Sequence, residues 1–558
     1  MIEARQSTAT HPVPRRASVS VGLERLRAWV ATWGAEAVPF GVVTALALVL
    51  RLVDLTRMPV HHDETQHAWF AWRLVSGQGY EYNPVYHGPV QFYLISAMYM
   101  LFGVSDWVVR LAPVLMGTVL TGLPFFLRRQ IGTTAALLAS IIFCLSPAFL
   151  YFSRFAREDI YVACVTFALL VAVFRFLSSP GYWHPSLILG LLAVSFATKE
   201  TTYITVFVAG TFFLAVVLWQ MAYARGAGDR VFDAPILRTI RSVGRDAWLW
   251  GVATFLVVYT VLFSTFFTNP GGLRDGMVES INYWLSQQPV NRGGQPWFYY
   301  LVLLSGYAWP IVLLGLLGIV SVVRKPTLLG AYLIWMFVLT LGLFSWASER
   351  MPWLVLHSLL PLVVLAGMGG QVLWRSRDRV IAKVGIAVAL VGAVYLLQSA
   401  VYVTYVRPAD ARELLVQVQN APDVPKIRDE IMALEKQQTA KDGQPLSLQI
   451  DSWGGVGWPW SWYFRDVPAG YYDMSDASYA PEGQVVLVSD PNHATVAPKL
   501  KDYVGRRFTY RVWWVPDWGG ASAGDWARWF LWRKPWSPTA TMDEWLYVRK
   551  DLPAPTTT

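Results

Sequence analysis

The chain is nearly free of cysteine: two in 558 residues, Cys144 and Cys164, both inside apolar runs. A disulfide framework is thereby excluded, and without a CxxC pair there is no Cys/His metal cluster. Charged residues are scarce as well, at 15%. The Gly-Gly pairs at 271–272 and 293–294 are not followed by Gly-Lys-Ser/Thr, so no phosphate loop is present. No nucleophile-elbow motif occurs, which argues against a Ser-His-Asp hydrolase. There is no solenoid-type repeat. The start lacks a cleavable signal pattern. Its arginines, Arg5, Arg15, Arg16, Arg25 and Arg27, make residues 1–36 a basic cytoplasmic tail, with the first apolar run as an uncleaved anchor.

What the chain has is hydrophobic length. Hydrophobic residues make up 54% and aromatics 15%, with 28 tryptophans suited to membrane-interface belts. Apolar runs near 37–55, 107–127, 133–152, 158–178, 184–198, 202–222, 248–268, 298–323, 327–347, 352–373 and 380–405 predict about 11 spans. The net charge of +9 then belongs to cytoplasmic loops and not to nucleic-acid binding. A shorter aromatic run, Pro89–Gly103, is the ambiguous one. If it does not cross, Arg128-Arg129, Arg175, Arg225 to Arg245, Arg324-Lys325 and Arg375 to Arg379 all share the side of the basic N-terminus. Residues 57–106 then form one outer loop with two interfacial helices, near Glu64–Val75 and Pro89–Leu101.

That topology puts four charged turns outside: His61-His62-Asp63-Glu64-Thr65-Gln66-His67, Arg154 to Asp159, Lys199-Glu200 and Ser348-Glu349-Arg350. Outer cations run against the bias that orients the protein, and charges at span ends are costly unless hydrated or partnered. Either each turn holds a local salt bridge, or the four converge over one cavity. The stretch 269–297, rich in turn signals around a short helix, is long for a connection and suits a substrate-covering loop. Asp63, with Gln66 three residues on, reads as the N-cap of a helix that Glu64 enters. His61, His62 and Asp63 have the donor types for a divalent metal. His357 lies inside the tenth predicted run and reads as a packed histidine.

After Val406 the composition turns polar. Leu414, Leu415 and Val418, then Ile427, Ile431 and Leu434, have helical spacing. Leu446–Ile450, Gln484–Asp490, Arg507–Val515 and Trp545–Val548 read as strands. The fold class is thus a polytopic α-helical membrane protein with a C-terminal α/β domain at 407–558. An odd number of spans places that domain outside. Its aromatic stretch Trp458–Arg465 either packs in the core or stacks on a sugar or lipid.

These features together resemble the GT-C glycosyltransferases, a superfamily that includes protein O-mannosyltransferases and the aminoarabinose transferase of lipid A. The likeness is strongest to a prokaryotic branch identified as flippase-activity-associated. It runs over about residues 37–360. It rests on the acidic pair Asp63-Glu64, the start His87-Gly88-Pro89-Val90-Gln91-Phe92-Tyr93, the element Phe102-Gly103-Val104-Ser105-Asp106, the turn Arg154–Asp159 and the pair Lys199-Glu200. Family members often carry Lys where this chain has His87. The resemblance implies a GT-C-like transmembrane domain over 37–406 and an enzyme that takes a sugar from a polyprenyl-phosphate carrier. The acceptor would be a hydroxyl of a protein, glycan or lipid on the outer face, with membrane lipids as surroundings and no nucleic acid. It implies Asp63, Glu64 and Asp159 as catalytic carboxylates; Arg154, Arg157, Lys199 and Arg350 as phosphate ligands; and His87, Tyr93, Glu200, Glu349 and His357 as substrate contacts. A divalent ion near His61, His62 and Asp63 remains an option.

The chemistry is consistent. The attacking hydroxyl must lose a proton, which one carboxylate can take. The lipid phosphate that leaves needs cations, and arginine offers a bidentate fork. A single displacement inverts configuration, whereas retention would need a second carboxylate as nucleophile. The competing readings are a lipid-linked sugar flippase and a non-catalytic subunit of a membrane complex. A flippase calls for charges in mid-span, which are almost lacking here.

Overall fold

A computed structural model describes residues 34–227, 234–290 and 292–552. The basic tail up to residue 33, and Arg230 of the basic loop, lie outside the described residues. Among the described residues, eight helices are long and apolar enough to cross a membrane: Asp106–Ile131, Asp159–Ser178, Thr202–Gly226, Gly244–Phe263, Tyr299–Arg324, Leu328–Trp346, Pro352–Arg375 and Val380–Val406. Four shorter apolar helices accompany them, Ala37–Leu52, Val90–Phe102, Thr133–Leu145 and His184–Phe196. The chain is a multi-pass membrane protein. Three of the short helices coincide with runs counted among the 11 predicted spans, but at 13 to 16 residues they fall short of a full bilayer crossing by length alone.

The centre of the bundle is the helix that starts at Val355, buried along almost all of its length. It packs on Tyr299–Arg324 through glycines. A Cβ at Gly318 would overlap the Leu365 carbonyl, and one at Gly369 would overlap the Leu314 carbonyl. Close backbone approach through small residues is how helices associate where no hydrophobic effect drives them together. Pro310, two residues after the non-helical Ala308, kinks Tyr299–Arg324.

Between the first helix and Asp106 lie the two helices that frame the site, His62–Val75 and Val90–Phe102. The first begins two residues earlier than its pattern suggests, and its N-cap is His61, not Asp63. The His61 Nδ1 accepts from the Asp63 amide at 3.1 Å, while Glu64 Oε2 accepts from the His61 amide at 2.9 Å. This is a capping box built on an imidazole.

The C-terminal part folds around a six-stranded sheet: β1 Gln419–Asn420, β2 Leu448–Asp451, β3 Ala469–Tyr472, β4 Val485–Ser489, β5 Tyr503–Trp513 and β6 Ala540–Arg549. Their order is β1-β5-β6-β4-β2-β3. The pairs β2–β3 and β2–β4 are parallel, and β5 and β6 form a long antiparallel ribbon. The sequence pattern marks β2, β4, β5 and β6. It misses the two-residue β1 and also β3, which is glycine-containing and exposed at its end. Ile427, Ile431 and Leu434 line a helix over Asp423–Asp442. Leu414, Leu415 and Val418 form no helix; their burial comes from an irregular connection packed on the transmembrane bundle, where Tyr299 Oη donates to the Leu414 carbonyl at 3.0 Å. The aromatic stretch is core. Trp460 and Trp462 are fully buried, Trp462 stacks on Tyr99, and its indole donates to Asp106 at 2.8 Å.

Candidate active site

A cavity of about 290 Å³ opens at the start of His62–Val75. Asp63 lines it, with His62, His67, His87, Arg157, Arg292 and Glu349. Tyr86, Tyr283 and Trp353 supply aromatic walls, and Gln417 reaches in from the connection to the sheet domain. The site therefore draws on six separate segments.

The local scaffold is built on Glu64. Its carboxylate accepts from Arg110 at 2.7 and 2.9 Å and from the Ala156 amide at 2.8 Å, in addition to the His61 amide. Arg110 spends its other donors on the carbonyls of Leu55, Met58 and Pro59. Glu64 and Arg110 are both wholly buried. Glu64, read from sequence as a catalytic neighbour, is instead an internal bracket. It ties the helix start to the Arg154–Asp159 turn and has no exposed surface to meet a substrate.

That turn carries Arg157 into the cavity. Its Nη1 donates to Asp63 Oδ2, its Nε lies 3.4 Å from Asp159, and its guanidinium sits 3.8 Å over the Trp353 ring. Asp159 in turn accepts from Lys199 Nζ at 2.9 Å on both oxygens, with His357 Nε2 3.8 Å away. A continuous chain of charge thus runs from Lys199 through Asp159 and Arg157 to Asp63. At the cavity it ends in Arg157 and Asp63, and Asp63, about one-fifth exposed, is the more open of the two. Asp159, Lys199 and His357 are buried beneath it, and His357 stacks on Phe344. Burial would raise the Asp63 pKa, but His62 and Arg157 beside it hold the carboxyl well below the usual range. Asp63 is therefore an ionised carboxylate.

Also in the lining, His87 Nδ1 pairs with Glu200 Oε2 at 2.7 Å. Gly88 explains the approach. Its amide donates to the Thr198 carbonyl at 3.1 Å, and a Cβ there would overlap Ala197, so the chain lies flat on the Lys199–Glu200 turn. Burial opposes a charge on His87, yet Glu200 and Glu158 outweigh it and raise the imidazole above its ordinary value. Glu158, not singled out from sequence, pairs with His67 Nε2 at 2.8 Å; burial would raise its pKa, but His67 and His87 hold it down at about 2.

Three further expected contacts, Arg154, Arg350 and Tyr93, lie outside the cavity lining. Arg154 donates to the carbonyls of Leu50, Arg51, Val53 and Asp54, the groups that the end of the first helix leaves without partners. With both Nη groups engaged and its side chain buried outside the cavity lining, Arg154 serves the helix end and is not placed to meet a phosphate in the cavity. Arg350 donates to the Ser345 carbonyl at 3.0 Å and the Gln295 carbonyl at 2.8 Å, tethering the 269–297 loop. Tyr93 Oη donates to the Leu262 carbonyl at 2.7 Å, outside the cavity lining. His61 does border the cavity, but its ring is committed. Its Nδ1 caps the helix and its Nε2 contacts the Gln417 carbonyl at 3.0 Å, so both nitrogens are used. The candidate ligand atoms of His61, His62 and Asp63 lie within 4.8 Å of one another. As folded, however, only His62 and Asp63 have capacity for a metal, and Asp63 already faces the Arg157 cation.

Arg292 and Tyr283, which the sequence reading passed over, come from the 269–297 loop. The length and turn signals of that loop marked it as a cover, but nothing in its pattern ranked one arginine above the others.

Residues 86–225 match the family described as dolichyl-phosphate-mannose-protein mannosyltransferase. None of the curated proteins matches the chain. Among solved structures, ArnT from Cupriavidus metallidurans bound to undecaprenyl phosphate aligns at TM-score 0.59 and 15% identity, over 92% of this chain and 99% of that one. The fold is that of the GT-C glycosyltransferases. The same ArnT in its apo state aligns at TM-score 0.58 and 16% identity, over 87% of this chain and 96% of that one. The Archaeoglobus fulgidus oligosaccharyltransferase in its apo form aligns at TM-score 0.50 and 12% identity, over 87% of this chain and 75% of that one. With 92% of this chain aligned, the likeness to ArnT extends beyond the helices into the sheet domain.

Proposed function

We propose that this protein is an inverting glycosyltransferase that moves a sugar from a polyprenyl-phosphate carrier to a hydroxyl acceptor at the extracytoplasmic face. The observation that carries the reading is Asp63: an ionised carboxylate on a cavity wall that His87 and Arg292 also line. In the reaction, the acceptor oxygen attacks the anomeric carbon as the bond from that carbon to the phosphate oxygen breaks. The hydroxyl proton passes to Asp63. The electron pair leaves with the lipid phosphate, whose growing charge meets the imidazolium of His87 and the guanidinium of Arg292.

Arg157 and the buried Lys199–Asp159 pair keep Asp63 oriented and charged, so Asp159 acts through Arg157 and not on substrate. The likeness to a structure holding undecaprenyl phosphate supports a lipid-phosphate donor. The basic segments, the tail among them, support a cytoplasmic N-terminus, which puts the cavity and the sheet domain outside. A divalent ion, if one binds, would be held by His62 and Asp63 and would supply Lewis-acid charge. The test is transfer from a polyprenyl-phosphate sugar by purified protein, with anomeric configuration read in the product. A retained anomer would remove the single-displacement mechanism.

A further inference from the structure

A second cavity, of about 520 Å³, lies outside the reaction site and is lined by Arg57, Arg407, Arg412 and Asp410, with Pro59 and Pro408 as rigid walls. We propose that it holds the headgroup of an anionic membrane phospholipid.

The position comes first. Arg407 follows directly on Val406, where an apolar helix long enough to span ends. Arg57 follows the end of Ala37–Leu52. Both follow the ends of apolar helices, on the same side as Asp63. Like the cations of the reaction cavity, they run against the bias that keeps arginine inside, so their placement needs a partner.

The capacity comes next. Asp410 pairs with Arg412, accepting from its Nη2 at 2.6 Å and its Nε at 2.9 Å. Arg57 and Arg407 are half exposed, and each approaches a single carboxylate only at a distance, Asp54 at 3.4 Å and Asp410 at 3.6 Å. Two guanidinium forks therefore face one open space with donors to spare. Within the lining, three arginines oppose one aspartate. That chemistry fits a phosphodiester with net negative charge, bound bidentately. A lipid is preferred to free phosphate because the flanking helices would deliver the headgroup from the membrane. A favourable helix-end charge explains Arg407 alone, but not why Arg57, from a different helix end, lines the same cavity.

The experiment is native mass spectrometry of the delipidated full chain in detergent with phosphatidylglycerol, using zwitterionic phosphatidylcholine as control. The expected result is a retained phosphatidylglycerol adduct, and retention at least about tenfold weaker in the Arg57→Ala/Arg407→Ala double variant. Both side chains are exposed, so an unchanged melting temperature should certify the fold of the variant. Equal retention by the variant, equal retention of phosphatidylcholine, or displacement of the adduct by inorganic phosphate alone would overturn the assignment.

Discussion

Arg157 donates to Asp63 from 94 positions along the chain. This bond joins the two outer turns that the sequence made most suspicious, and it makes the carboxylate both charged and oriented. Arg157→Lys would keep the charge but lose the fork that also approaches Asp159. We expect transfer to fall at least about tenfold with little change in melting temperature. Transfer rates alongside thermal unfolding would check this.

Glu64 should behave in the opposite way to its neighbour. Glu64→Gln leaves the buried Arg110 charge uncompensated, which costs about 3–5 kcal/mol when one partner of such a pair is removed. A lowered melting temperature and poor yield are expected. Normal stability with lost transfer would return Glu64 to the reaction.

The difference between Asp63 and Glu64 shows how far the sequence could be read. Span-length runs, the outer turns, the two helices before Asp106 and four of six strands are local patterns, and local patterns are visible. Asp63 and Glu64 are both acids at a helix start, and only Arg110, hidden in an apolar run, separates base from bracket. Arg154 and Arg157 look alike for the same reason: which one caps a distant helix end depends on a tertiary contact with Leu50 to Asp54. Arg292 was invisible because a loop carries no periodicity.

His87 makes the site sensitive to pH. Its pKa in the folded protein is raised above the ordinary 6.5. The imidazolium, and the stability of its pair with Glu200, are thus fully present below that ordinary value and lost as pH rises through the folded value. Donor affinity should fall over the same rise. In His87→Lys the charge persists to higher pH and the fall should disappear; in His87→Gln affinity should be low throughout. Donor binding measured across pH for the three proteins checks the sign.

Metal removal should leave transfer nearly unchanged, because Arg157 already supplies the cation at Asp63 and His61 is committed to its cap. Dialysis against a chelator, with metal content measured before and after, tests this. Activity lost with the chelator and restored by one divalent ion would put the ion at His62 and Asp63.

The most direct measurement is transfer by Asp63→Asn. His61 caps the helix, so the substitution removes no cap and the protein should fold. Asn keeps the shape but cannot take a proton. We predict donor lipid still bound and transfer reduced at least about 10²-fold. Near-normal transfer by this variant would contradict the assignment of Asp63 as the base.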